Sequence, residues 1–446
     1  MKIALAHFRV GETDGVSLEM DKWKIALEKQ GHEVFYLAGS SGQTQAYIVE
    51  ELHYKNSLND KIVSNAYLKL DDYTAKELEE IIEIQASIVE QKIVDFIQSY
   101  NIDLLIPNNI WSLGWGLYAG IGFYKAAIKT GIKCIAHHHD FYWEREKYSQ
   151  PTCDFVKKLL EEYFPPVDTN IKHVVINSLA QDALLEKKQV KSTVVPNVFD
   201  FRGPLWTKDE YNSDFRKSIG VDKNDILILQ ATRITERKGI ELALDVIGEL
   251  ISKGQIDSLY DKKLSTGRYF SKNNKVVFVM AGLLESEDIY ITKLNAKAKK
   301  YGIEIKYIND VIDHSRSQRD NKKIYSLWDA YVEADFVTYP SLLEGWGNQL
   351  LEAMFAKKPV LVYEYPVYKK DLLDKGFDVV SLGDRHIMED GLAKVDQGII
   401  SSAAYKIKQL LIDKNAYDQA IEKNFNICCK YFSYESLENL LKNIVE

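Results

Sequence analysis

Cysteine is scarce in this chain. The four cysteines among 446 residues include the adjacent pair Cys428 and Cys429, and they make neither a disulfide framework nor a thiolate metal shell. That usage predicts a reduced, cytoplasmic protein. No apolar run is long enough to cross a membrane, and the apolar start at Lys2-Ile-Ala-Leu-Ala6 is interrupted too soon for a signal peptide. Positive charge is not in excess: a net charge of −8 argues against an electrostatic grip on nucleic acid or anionic lipid. The first strand-to-helix turn lacks the G-x-G-x-x-G dinucleotide fingerprint, and Gly114-Trp-Gly116-Leu-Tyr-Ala-Gly120 misses it by one residue. That absence weighs against an NAD-dependent nucleotide-sugar epimerase. Asp-x-Asp, a common metal-binding pair, is missing too; Asp71-Asp72 falls in a polar stretch that reads as helical.

What is present is an ordinary soluble composition, 46% hydrophobic and 27% charged, on a chain long enough for two or three domains. Strand patterns alternate with helical ones throughout, which predicts an α/β protein with parallel sheets covered by helices. The most informative stretch is Ser341-Leu-Leu-Glu344-Gly345-Trp346-Gly347-Asn348-Gln349-Leu350-Leu351-Glu352. Ala334 to Tyr339 upstream reads as a short buried strand stopped by Pro340. Leu350, Leu351, Ala353, Met354 and Ala356 downstream form one apolar helical face. A helix entered through glycines offers unpaired N–H groups and the positive end of its dipole to an anion. Glu344 in the loop and Glu352 within the helix add carboxylates, and each carboxylate has two acceptor oxygens that suit a vicinal diol. A bare glutamate pair more often solvates a helix end; the Gly-Trp-Gly turn between these two decides otherwise.

This Glu-x7-Glu element, after Pro-Ser and around Gly-aromatic-Gly, resembles the donor-site motif of family 4 retaining glycosyltransferases of the GT-B fold, the glycosyltransferase group 1 type. By that resemblance Glu344 contacts the transferred sugar and Glu352 the nucleotide ribose, with Gly345, Trp346, Gly347 and Asn348 completing the donor site. Trp346 stands where the family more often has Phe. A second match supports the first. Asp225 to Arg233 reads as a buried strand, followed by Lys238-Gly239 and a helix from Ile240 to about Leu250. Arg233 and Lys238 fall at the family's spacing for the pair that neutralises the donor diphosphate. Arg237, beside Lys238, does not match the pattern and is left out.

In the first half, Gly131 to Ala136 is strand-like and runs into His137-His138-His139-Asp140-Phe141-Tyr142-Trp143-Glu144-Arg145. Three successive histidines suggest metal, yet neighbours on an extended chain alternate faces and no second Cys/His cluster completes a shell. The expectation is no metal. His139 and Asp140 match the family's acceptor-side segment that approaches the reacting sugar; His137 and His138 are expected to be packed or hydrogen-bonded supports. Trp143 and Arg145 are assigned to acceptor contact. At the chain start, Lys2 to His7 reads as a strand, Arg9 to Gly15 as a loop, and Leu18 to Lys29 as an amphipathic helix capped by Gly31. Asp14-Gly15 stands in for the family's Gly-Gly, so Gly15 either admits donor phosphates or the acceptor, or serves an ordinary turn.

Val194-Val-Pro196-Asn197-Val-Phe-Asp200 resembles the family's entry to the second domain. The division is therefore an acceptor-side Rossmann-like domain at 1–200, a nucleotide-sugar donor domain at 201–425, and a segment 426–446 whose helix returns to the first domain. The resemblance implies sheets facing an interdomain cleft that closes around the Pro196–Asp200 linker. The polar run at 252–275 is longer than a usual connection and reads as an insertion or mobile loop. The function implied is a retaining hexosyltransferase, using a UDP- or GDP-linked sugar and a hydroxyl acceptor with no cofactor. Arg9 to Met20, Tyr325 to Ala330 and Gly345 to Asn348 distantly resemble enzymes that glycosylate compatible-solute acids such as glucosylglycerate. Glycan and lipid-linked acceptors stay open, as does a non-catalytic two-lobed sugar-binding protein, against which the intact Glu344, Glu352, Arg233 and Lys238 argue.

Overall fold

Strands that are apolar at every position need cover on both faces. Leu104–Pro107, Ile226–Gln230, Val276–Met280 and Phe336–Tyr339 are buried along their whole length, and each lies inside a parallel sheet. In the computed structural model the first sheet has seven strands. Their spatial order is Tyr47–Ile48, Glu33–Ser40, Lys2–Arg9, Leu104–Pro107, Lys133–His138, Ile171–Val175, Ser192–Val194. The second has six, in the order Glu304–Tyr307, Val276–Met280, Ile226–Gln230, Phe336–Tyr339, Val360–Val362, Val380–Ser381. Strand order reverses between Lys2–Arg9 and Leu104–Pro107, and again between Ile226–Gln230 and Phe336–Tyr339. A reversal opens a crevice outside the strand carboxyl ends, where α/β sheets take ligands. The structure describes residues 1–445 except 13, 43, 253, 286 and 287, with the backbone alone of Asp288. Thr13 of the first loop, Lys253 of the 252–275 run and the terminal Glu446 thus lie outside the described residues. Among the described residues no helix is long and apolar enough to cross a membrane.

The sheets anchor two units, Met1–Val198 with Tyr434–Glu446, and Phe199–Ser433. The sequence reading divided the chain at 200 and 425; the chain changes unit after Val198 and again after Ser433. The Lys414–Tyr431 helix stays with the second unit, and the Tyr434–Val445 helix joins the first. Leu437, Leu441 and Ile444 recur on one face of that last helix and share a core cluster with Met20, Trp23 and Leu27 of the Gly15–Lys29 helix. Lys29 pairs with Glu438 at 2.6 Å, and Lys172 Nζ donates to the Ile444 carbonyl at 2.7 Å, closing the helix C-terminus with a cation.

Two expectations are corrected. Asp71 and Asp72 are not helical: they sit between the Ser57–Tyr67 and Ala75–Tyr100 helices, where the N–H groups of Asp71, Asp72 and Tyr73 all donate to Asn65 Oδ1. An Asn side chain that gathers successive N–H groups stabilises a turn against helix. Of the two readings of the 252–275 run, an insertion or a mobile loop, only the second is corrected where the run is described. It forms the Ile256–Ser258 turn and a hairpin of Lys262–Lys263 with Tyr269–Phe270. Ser265 bonds the Leu410 and Leu411 carbonyls at 2.7 and 2.8 Å. Arg268 reaches Glu333 at 2.9 Å and also pairs with Asp335; Arg216 meets the same two carboxylates at 2.8 and 3.0 Å. Asp335, wholly buried, also accepts from Thr266 Oγ1 and the Leu227 N–H, so the hairpin is fastened to the start of the Phe336–Tyr339 strand.

The first unit buries His7, His137, His138 and His173 and half-buries His139. His137 stacks on Trp23 with ring centroids 4.3 Å apart and meets Asn108 Oδ1 at 2.8 Å. His138 faces the other way, between Ser112 Oγ and His173 Nδ1, the latter at 3.0 Å. His7 Nδ1 meets the Asn108 carbonyl at 2.7 Å. Burial lowers the pKa of each: His7 below the ordinary value, His137 and His138 well below it, His139 to about 3 and His173 to about 4.

Two outcomes follow from these contacts. In the unfolded chain each histidine takes a proton near pH 6.5, whereas the fold keeps it neutral far lower, so stability present above 6.5 is lost as pH falls toward 4. Two such groups alone remove about 4 kcal/mol between pH 7.5 and 5; denaturant melts at those pH values are expected to differ by at least that, and equal midpoints would mean the imidazoles protonate freely in the fold. Arg268→Ala is expected to lower the unfolding free energy by about 3 kcal/mol, the low end for a broken buried pair because Arg216 still meets both carboxylates. An unchanged urea midpoint would return 252–275 to a mobile loop.

Candidate active site

The second unit's reversal point is flanked by two loops that the sequence forces together. Gly239, after the Glu236–Lys238 turn, adopts φ +57°, and a Cβ there would stand 2.5 Å from the Pro340 carbonyl. Glycine is needed for the backbone angle and for the close approach. Leu342 N–H donates to the Arg237 carbonyl at 2.8 Å, stitching the loop after Gln230 to the loop after Tyr339. Across that seam Glu344 accepts from Lys238 Nζ and, at 3.3 Å, from Arg237 Nη1. Lys238 and Glu344 are both buried. Burial lowers the Lys238 pKa, with Arg237 and Arg233 acting the same way and the Glu344 carboxylate opposing them. Tyr339 and Tyr365, wholly buried, ionise far above the usual range, first from burial and then from the charge of Glu344.

The turn into the Asn348–Phe355 helix is fixed just as tightly. Gly347 has φ +154°, and a Cβ on it would fall 2.4 Å from Tyr365 Oη, which donates to the Trp346 carbonyl at 2.6 Å. The Trp346 indole turns inward: it is 5% exposed, lies edge-on to Phe432 at 5.5 Å, and its Nε1 has no hydrogen-bond partner among the described residues. Gly345 is exposed and Asn348 half-buried at the helix start. Glu352, half-buried, accepts from Tyr331 Oη at 3.1 Å. Arg233 is half-exposed and pairs with Glu285 at 2.9 Å. Arg237, which sequence spacing passed over, is thus the cation beside Lys238 on the Glu344 carboxylate. Spacing alone cannot show which of two adjacent cations a turn points inward.

In the first unit the carboxyl ends of Lys2–Arg9, Leu104–Pro107 and Lys133–His138 gather the other named residues. Asn109, at φ +55°, accepts from the His139 N–H at 2.7 Å and donates to Asp140 Oδ1 at 2.8 Å. Asp140 Oδ2 accepts from Arg145 Nε at 2.8 Å, so these two acceptor candidates hold one another. The His139 ring lies 4.2 Å from that of His137, and burial keeps it neutral in ordinary conditions. Trp143 stacks on Phe141 at 4.3 Å with nearly parallel rings, and its buried Nε1 has no hydrogen-bond partner among the described residues, which makes it a packing residue of this segment as well as an acceptor candidate. Gly15 opens the Gly15–Lys29 helix behind the N-cap Asp14, whose carboxylate accepts from Val16 and Ser17 N–H. A Cβ on Gly15 would meet nothing within 4 Å, so the fold itself does not require glycine there.

Two buried charges on touching loops, further arginines beside them and a helix entered through glycine make a set suited to an anionic group next to hydroxyls. The chain matches the family Glycosyl transferases group 1 over residues 212–426. It is 42% identical over 431 residues to the mannosylglucosylglycerate synthase of Petrotoga mobilis, covering 96% of this chain and 97% of that one. To the enzyme of the same name from Thermotoga maritima it is 38% identical over 450 residues, covering all of both. Among solved structures, a glycosyltransferase from Rickettsia africae superposes with a TM-score of 0.62 at 13% identity, over 99% of this chain and 97% of that one. A sucrose-phosphate synthase from Thermosynechococcus elongatus gives 0.60 at 13%, over 100% and 98%. At such identities the structures establish the fold, GT-B with two Rossmann-like domains. The matches along the sequence establish more: this chain is a glycosyltransferase and belongs to the glycosyltransferase group 1 family.

Proposed function

We propose that the chain is a retaining hexosyltransferase that moves a sugar from a UDP- or GDP-linked donor to a hydroxyl of a small acidic solute of the glycerate type, in the cytoplasm. The buried Lys238–Glu344 pair carries the donor assignment: a lysine fixed at a strand's carboxyl end, on a loop stitched to a helix entry, is where a diphosphate leaving group is best stabilised. The acceptor assignment rests on the relatives, whose name puts mannose, glucose and glycerate in one product.

In this account the donor diphosphate engages Arg233, Lys238, Arg237 and the backbone around Gly345–Gly347, while Glu352 accepts from the ribose hydroxyls and Glu344 from the transferred sugar. The bond from the anomeric carbon to the phosphate oxygen breaks, and the electron pair stays on that oxygen beside the cations. The acceptor hydroxyl forms the new bond on the same face of the sugar, and its proton passes to the departing phosphate. Lys238 and its neighbours bear most on the step because the negative charge grows on an oxygen they already face. No divalent ion is required, since fixed cations take that role.

Lys238→Ala is expected to reduce turnover by at least about 10²-fold, the scale of losing one preorganised charge-stabilising donor, with an unaltered far-UV circular dichroism spectrum. Equal turnover in the variant would take Lys238 out of the mechanism. The donor class is open to thermal denaturation with UDP, GDP and ADP, each with and without EDTA. A nucleotide at about a hundred times its dissociation constant adds roughly 2.7 kcal/mol to the native state. The expected result is a shift by UDP or GDP that EDTA leaves intact; a shift abolished by EDTA would replace the cation account with a metal-dependent one.

A further inference from the structure

Glu352 does not stand alone in its helix. Tyr331, from the Leu327–Glu333 helix, is wholly buried, and its Oη lies 3.1 Å from Glu352 Oε2 and 3.4 Å from the Gln349 carbonyl. Gln349 and Glu352 are three apart and share one helix face, so a single phenol spans that face. A hydroxyl has one proton, and the shorter contact with the charged acceptor claims it. The ring behind the hydroxyl is locked: Trp206 lies against it at 5.6 Å, and Trp206 is itself stacked on Trp328 at 4.1 Å and edge-on to Phe355 at 4.9 Å. Phe355 belongs to the same Asn348–Phe355 helix as Glu352. The phenol therefore cannot follow the carboxylate if it rotates.

We infer that Tyr331 is a positioning residue for the donor: its hydroxyl fixes the rotation of the Glu352 carboxylate so that the vicinal diol of the nucleotide ribose meets it without prior reordering. This rests on the reading of Glu352 as the ribose contact. The physical case is one of preorganisation. A glutamate side chain turns about three torsions, and binding a diol through it loses affinity to the ordering of those torsions unless another bond has already ordered them. A carboxylate has about four acceptor directions over its two oxygens, and the phenol bond sets the plane in which the carboxylate is offered to the diol. Burial and the nearby Glu352 charge keep the phenol protonated, hence a donor, across the accessible pH range. Nothing in the Glu-x7-Glu spacing reports this residue, because Tyr331 precedes the strand and reaches Glu352 only through the fold.

The test is Tyr331→Phe, which retains the ring against Trp206, read by isothermal titration with whichever of UDP, GDP and ADP stabilises the wild type and with its 2′,3′-dideoxy analogue. Losing a hydrogen bond to a charged group predicts about tenfold weaker binding of the ribose nucleotide, with the dideoxy analogue changed by less than about twofold. KM for the nucleotide-sugar should rise by about the same factor while kcat stays within about twofold. In a Glu352→Gln background the Tyr331→Phe change should add nothing. Because the readout is a ratio of two affinities, it is insensitive to a partly unfolded sample. Equal weakening of both nucleotides, or losses that add across the two variants, would show that the phenol acts only through packing and would overturn the inference. If Glu352→Gln itself leaves the preference for ribose intact, the donor placement falls and the role of Tyr331 with it; if Glu352→Gln abolishes the preference and Tyr331→Phe does not, only the role of Tyr331 falls.

Discussion

The pairing of Lys238 with Glu344 is the contact on which the second unit's site depends. Both side chains are buried, and a buried ion that loses its partner costs several kcal/mol, so neither loop can leave the other without exposing or stranding a charge. The backbone is shaped to permit the pair. Gly239 lets one turn reach the Pro340 carbonyl, and Gly347 lets the helix entry slip past Tyr365. The Leu342–Arg237 bond then closes the seam. Such a pair contributes little net stability over an apolar substitute. In the proposed reaction its use is readiness: a lysine whose charge is balanced by a carboxylate in the resting protein would meet a diphosphate without first being drawn out of water.

Why the pair sits there follows from the sheet. A parallel sheet with cover on both faces has no side chain free for chemistry along its strands, so reactive groups collect in the loops at its carboxyl edge. Both sheets reverse order beside their first strand in the chain, and the candidate site residues follow the carboxyl ends of Lys2–Arg9, Lys133–His138, Ile226–Gln230 and Phe336–Tyr339, in loops or in the helices those loops open. The inserted Ile312–Ser326 strands and the 252–275 hairpin lengthen other connections of the second unit and leave these loops short. Arg268 and Arg216 hold Asp335 at the foot of the Phe336–Tyr339 strand, which steadies the strand whose following loop carries Glu344.

Much of this was legible in the sequence because it depends on spacing along the chain. The strand–turn–helix around Glu344 and Glu352 and the Arg233 to Lys238 turn are local patterns with fixed offsets, whereas the final helix joining the first unit was expected from the family resemblance alone. What spacing could not carry was direction and partnership. Trp346 reads as a pocket aromatic but turns its indole toward Phe432. Arg237 and Lys238 are neighbours of like charge, and only the three-dimensional turn shows that both face Glu344. The Lys/Asp/Ser-rich 252–275 run looks mobile because its composition is polar, yet one arginine in it finds two buried carboxylates more than sixty positions away. Tyr331 was invisible for the same reason: its partner lies 21 residues further along, across a strand.

The first unit poses a different electrostatic problem. It places its histidines where burial and their mutual proximity disfavour charge, with His139 held at about 3. A group of that basicity is badly matched to removing a proton near neutral pH, where an effective general base has a pKa close to the working value. It remains a good neutral hydrogen-bonding group, one ring nitrogen donating and the other accepting. Asp140 accepts from Asn109 on one oxygen and from Arg145 on the other. His139 is poorly suited to accept the proton of an attacking hydroxyl. In the proposed reaction the departing phosphate takes that proton, its basicity rising as the glycosidic bond breaks, and His139 and Asp140 are proposed to orient hydroxyls. Each unit solves its own problem of where charge is tolerated: a lysine and a carboxylate are buried as a pair in the second unit, and imidazoles are kept neutral in the first.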